Sequence, residues 1–169
     1  VFSMPTIKIV GKRSVVPFMT MLEFLLQSPE IKEFTKVSNI HHHVQLAIYA
    51  DDIGITNPIG KARSKHKLWV MYFQILNIPE KCRGRTSSIF PLVFTFSKLI
   101  KNSIYFSSLL KDFKETIHLL NTGVKISIAG KLMTVTAEIL YFSGDSLAAN
   151  SIGGFKEGIR WQVEWFRVI

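Results

Sequence analysis

The chain has 169 residues, enough for one compact domain and too few for two comfortable ones. Hydrophobic residues make up 47% of it, which excludes a disordered chain, because that much apolar surface offsets the entropy of ordering. The net charge of +9, from 21 Lys plus Arg against 12 Asp plus Glu, argues against a strongly basic partner and favours a polyanion, nucleic acid first and an anionic membrane second.

In chain order, VPFMTMLEFLL places Phe18, Met21, Leu22 and Leu25 on one face at helical spacing, with Pro17 suited to the first turn. Ser28, Pro29 and Glu30 start a second short helix running to about Val37. His41, His42 and His43 follow. Neighbours in an extended segment face opposite ways, so three consecutive imidazoles do not share one ion. VQLAIYADD (44–52) reads as a buried strand ending in two carboxylates. Asn57, Pro58 and Gly60 make a turn.

Leu68 to Ile78 is predicted as a second strand and Ser87 to Ser97 as a third, with Pro91 weakening the start of the latter. Leu109, Leu110, Phe113, Ile117 and Leu120 share a helical face, stopped by Asn121 and Gly123. VKISIAGKLMTVTAEILYF (124–142) then reads as a hairpin about Ala129 and Gly130, its second arm ending at Ser143, Gly144 and Asp145. The expected fold is a mixed α/β sheet. Three strands form an antiparallel meander, and a right-handed helical crossover returns a further strand parallel to the first.

Two parallel neighbouring strands would bring Asp51 and Asp145 to tips about 4.8 Å apart in the sheet. Carboxylates that close repel unless a cation sits between them, and Mg2+ or Mn2+ prefers oxygen ligands. Such ions activate a water or a 3′-hydroxyl in phosphodiester cleavage. On this geometry the expected metal ligands are Asp51 and Asp145. The same residues also suit plain turns, with Asp52 as a cap.

Lys61, Arg63, Lys65, His66 and Lys67 form one basic cluster and Lys81, Arg83 and Arg85 a second. Both suit phosphate contacts that carry no sequence readout; a solvated turn edge would have the same composition. Tyr72, Phe73, Phe90, Phe94 and Phe96 are expected in the core rather than as base-stacking platforms. The single cysteine, Cys82, excludes an intrachain disulfide and a cysteine-only zinc site. No segment reaches the roughly 18 uninterrupted apolar residues of a membrane span, and no signal peptide is legible. The expected setting is nuclear or cytoplasmic rather than secreted, with DNA as partner, no membrane and no small-molecule substrate; a homo-oligomer fits as well.

Three blocks resemble a known family. IYADDIGITNPIG, SKHKLWVMYFQILNIPEKCRGR and ILYFSGDSLAANSIGGFKEG, within residues 16–158, look like transposon-derived proteins of animal genomes. That family resembles cut-and-paste DNA transposases with a ribonuclease-H-like core. The resemblance implies a first catalytic acid at the tip of the first strand and a second after the fourth, hence Asp51, with Asp52 as an alternative, and Asp145. It also implies a third acid on a later helix and a paired-cysteine segment, neither of which IRWQVEWFRVI (159–169) supplies.

The expected organisation is a helical lead-in over 1–43, a partial ribonuclease-H-like core over 44–158 and a divergent tail over 159–169. Both ends read as cut, or the reading frame as stopped early. The expected function is a partial or degenerate DNA transposase, inactive alone. The alternatives are a domesticated nucleic-acid-binding module without catalysis and a structural or protein-interaction domain.

Overall fold

A computed structural model of the chain describes residues 8–10, 13–55 and 67–144. Its elements are β1 (Lys8–Val10), β2 (Arg13–Val15), α1 (Phe18–Leu25), α2 (Pro29–Thr35), β3 (Lys36–Ser38), β4 (His41–Gly54) and β5 (Lys67–Ile75). Then come α3 (Glu80–Arg83), a 3-10 turn (Thr86–Ser88), β6 (Phe90–Phe96), α4 (Ser97–Ile100), α5 (Ser103–Thr122), β7 (Val124–Ile128) and β8 (Lys131–Gly144). The strands form one mixed sheet in the order β1-β2-β6-β5-β4-β8-β7, with β3 also paired to β4.

The expected meander is present: β4, β5 and β6 pair antiparallel in sequence order. β8 lies parallel to β4 from His41↔Thr134 to Ala50↔Gly144, and antiparallel to β7 on its other edge. Beyond shorter second and third strands and the short helices α3 and α4, the N-terminal part differs from the sequence expectation. The first strand starts at His41 rather than Val44, α2 stops at Thr35, and β1 to β3 make the lead-in partly sheet. These three strands have three residues each, too few to show a period of two, and backbone pairing of β1 to β2, β2 to β6 and β3 to β4 holds them.

One face of the sheet carries the helices. Val44, Leu46, Ile48 and Ala50 of β4 point into it, joined by Trp69, Met71, Phe73 and Ile75 of β5, all nearly inaccessible to solvent. Phe18, Leu22 and Leu25 of α1 and Phe106, Leu109, Leu110, Ile117 and Leu120 of α5 close over them. Full burial of a side chain such as Leu22 contributes about 1.5–3 kcal/mol, so the 3.6-residue spacing is what fixes both helices on the sheet. Phe18 meets Phe73 edge-on at 5.1 Å, and Trp69 meets Phe106 at 5.4 Å.

The crossover is pinned at both ends of α5. The Asn102 side chain accepts a hydrogen bond from the Tyr105 amide at 2.9 Å, satisfying one of the free amides of the first turn. The helix ends at Gly123 with φ +95°, and a Cβ there would come within 3.2 Å of Thr134 Cγ2. The β7–β8 turn has positive φ at both Ala129 and Gly130, the twist that a two-residue hairpin requires. Gln27, just past α1, ties this turn down: its Nε2 donates to the Ser127 carbonyl at 3.0 Å and its Oε1 accepts from the Ala129 amide at 2.8 Å.

Candidate functional site

β4 carries the site residues because it is long and central, flanked by β5 and β8. Side chains alternate along a strand, so its even-numbered residues face the helices and its odd-numbered residues the opposite face. Asp51 and Asp52 therefore separate. Asp52 turns towards the helices and is half-buried, and Ser97 Oγ at the start of α4 donates to its Oδ1 at 2.6 Å. Asp51 is exposed on the opposite face, and its Oδ1 accepts from the Asp52 amide at 2.7 Å. The adjacent acids are not a chelating pair.

The pairing of β4 with β8 runs up to Ala50↔Gly144. Ala50 immediately precedes Asp51 in the chain, and Gly144 immediately precedes Asp145. Asp145 itself lies outside the described residues, as do Lys61, Arg63, Lys65 and His66. Lys67 is exposed at the start of β5, opposite Gly54 of β4. Lys81 and Arg85 are exposed at the other end of β5. Arg83 differs from them. It is half-buried, and its Nε is buried with no hydrogen-bond partner among the described residues.

The face opposite the helices holds two groups that the sequence reading missed. Tyr49 stacks on Tyr72 with centroids 5.2 Å apart and planes within 8°. Its hydroxyl donates to Gln74 Oε1 at 3.2 Å and lies 3.0 Å from the Tyr141 hydroxyl, which then donates to it. Gln74 Nε2 donates in turn to the Arg83 carbonyl. Burial first, then the Tyr141 hydrogen bond and the neighbouring phenols, push the Tyr49 hydroxyl up to about 12, against a smaller pull downward from Arg83.

The second group lies at the start of β4. His41 Nε2 and His43 Nδ1 each lie 2.9 Å from Thr136 Oγ1, and His43 Nε2 lies 3.1 Å from Glu138 Oε1. Gln45 Nε2 donates to the same carboxylate oxygen. Hydrogen bonds from His43 and Gln45 hold the Glu138 carboxyl below its ordinary range. His42 points the other way, fully buried, with Nδ1 3.0 Å from the Thr35 hydroxyl and Nε2 unpartnered among the described residues. The alternation expected of the three histidines is what the strand displays.

Tyr141 reaches this face through an irregularity. β8 pairs Ile139 with Leu46 and Tyr141 with Ala47, so Leu140 is an extra residue that inverts the alternation beyond it. Nothing in the apolar run ILYF signals such a bulge. The expected aromatic core is partly realised. Phe73 is fully buried and Phe90 packs against the core, whereas Tyr72 stacks on the opposite face and Phe96 is exposed with Lys98 Nζ 5.8 Å from its ring centroid.

Among the described residues, no group of three or more His, Cys, Asp or Glu side chains stands in metal-holding geometry, and no helix is long and apolar enough to cross a membrane. Comparison with known proteins finds no matching family model and no matching curated protein.

Proposed function

We propose that the chain is a partial or degenerate DNA transposase core of the ribonuclease-H-like type, in which Asp51 and Asp145 descend from a site for Mg2+ or Mn2+. One observation carries this reading. β4 and β8 are parallel neighbours whose register runs to Ala50↔Gly144, the residues directly before the two aspartates. The sheet order β6-β5-β4-β8, with α5 between the meander and the returning hairpin, supports the ribonuclease-H-like assignment. Asp51 is the better first acid, because Asp52 is committed to Ser97 on the helix-bearing face.

Two metal ions about 3.5–4 Å apart would need further oxygen ligands to steady both attacking and leaving oxygens. Asp51 and Asp145 are two such carboxylates, and the resemblance implies a third acid on a later helix. A second reading, a nucleic-acid-binding module without chemistry, draws on the +9 charge and on the exposed Lys67, Lys81 and Arg85.

Purified chain titrated with Mn2+ and with duplex DNA separates the two. The transposase reading expects Mn2+ binding that Asp51→Asn and Asp145→Asn each weaken at least tenfold, with no DNA turnover. DNA binding should fall with salt at a log–log slope of about −0.9 per phosphate contacted. Salt-dependent DNA binding with no Mn2+ effect of either variant would leave only the binding module. DNA binding that is weak and indifferent to salt would remove both and leave a protein-interaction domain.

A further inference from the structure

We infer that His41 and His43 form a binding site for a borderline divalent transition cation, Cu2+ before Zn2+ or Ni2+, separate from the aspartates at the far end of β4. The two histidines are alternate residues of one strand and so share a face, while His42 is buried on the other. Their nitrogens already aim at one point. His41 Nε2 and His43 Nδ1 are each 2.9 Å from the Thr136 hydroxyl oxygen.

The proton arrangement leaves a lone pair at that point. Ionised Glu138 only accepts, so His43 must carry its proton on Nε2 to bond Glu138 Oε1 at 3.1 Å, and its Nδ1 is then the acceptor. The Thr136 hydroxyl has one proton to give and donates it to His43 Nδ1. His41 Nε2 donates to Thr136, and the 3.5 Å approach of Thr136 to the His42 carbonyl is the weaker alternative. A tautomer change at His41 alone frees the second lone pair. A cation between the rings, at imidazole distances of about 2.0–2.1 Å, would then replace the two hydrogen bonds of Thr136.

Glu138 stands on the other side of the His43 ring from that point, and Gln45 holds the same carboxylate oxygen. A carboxylate behind a ligating imidazole fixes its tautomer and raises its basicity, and this outer partner is already in place. Two protein nitrogens leave the remaining positions to Thr136 or water. Nitrogen donors select Cu2+, Ni2+ or Zn2+ over the oxygen-seeking Mg2+. Along β4, His43 is about 26 Å from Asp51 at roughly 3.3 Å per residue, so the two sites do not share ions.

The test is an NMR titration of the isotopically labelled chain with substoichiometric CuCl2, followed by a ZnCl2 affinity measurement. The expected result is selective broadening of the His41 and His43 ring signals, with His118 on α5 spared. For Zn2+, His41→Ala/His43→Ala together should weaken binding at least tenfold and Glu138→Gln roughly tenfold, whereas His118→Ala should leave it unchanged. Broadening that spares His41 and His43, or an affinity indifferent to the double variant, overturns the inference. The NMR readout uses the unaltered chain, so a variant that fails to fold does not decide the matter.

Discussion

His42 makes stability depend on pH. Its burial, followed by Lys32, His41 and Lys36, holds its pKa below 6.5. The folded protein thus resists protonating a ring that the unfolded chain protonates readily. Below pH about 6.5 the unfolded state binds more protons, so the stability present above that value is lost as pH falls through it. Melting temperature should drop between pH 7.5 and 5.5, and His42→Gln should flatten that slope. An equally steep fall in His42→Gln would place the acid sensitivity elsewhere. Glu138 acts in a lower window: its depressed carboxyl contributes stability above pH 4.5 that disappears only as the pH drops further, which keeps the two effects separable. The alternation of the three histidines is legible in the sequence, because it needs only the period of an extended chain. The Ser97 bond to Asp52 is not, because it joins residues 45 apart and depends on where α4 begins.

At the scale of elements, the joint between α5 and β7 sets where the returning strand lies. Gly123 combines a positive φ with a Cβ position 3.2 Å from Thr134 Cγ2, so Gly123→Ala meets both backbone strain and crowding. The expected loss is about 1–3 kcal/mol in urea unfolding. Gly84→Ala is the matched control, since nothing lies within 4 Å of its added Cβ and its φ is −69°. Equal effects of the two substitutions would show that the joint is not strained in this way. The same contrast explains which elements the sequence discloses. α1 and α5 are legible because Phe18, Leu22 and Leu25, or Leu110, Ile117 and Leu120, repeat with the helical period that burial enforces. The bulge at Leu140 is hidden because any apolar residue can be the extra one, and with it the entry of Tyr141 into the cluster around Tyr49 is hidden too.

For the whole molecule, the sheet has two unlike faces. Helices α1 and α5 close an apolar core on one side, and β4 and β8 display His41, His43, Gln45, Glu138, Tyr49 and Tyr141 on the other. The proposed acid site sits at one end of that polar face and the proposed imidazole site at the other. The meander and the parallel return of β8 are legible from the order of strands, helix and hairpin, because a helical crossover permits a parallel neighbour where a tight turn does not. The functional proposal rests on that return bringing Asp145 beside Asp51.

Disulfide trapping tests this directly. Cys82 is the only cysteine, so Cys82→Ser leaves a thiol-free background for the pair Asp51→Cys/Asp145→Cys. A disulfide needs Cα atoms within about 4.4–6.8 Å, a range that neighbouring strands satisfy and distant ones do not. Tyr49→Cys/Ser143→Cys, a pair already in register, serves as the positive control. The account predicts an intramolecular crosslink at 51–145 under mild oxidation, at a rate comparable to 49–143; rapid crosslinking of the control with none at 51–145 would contradict it.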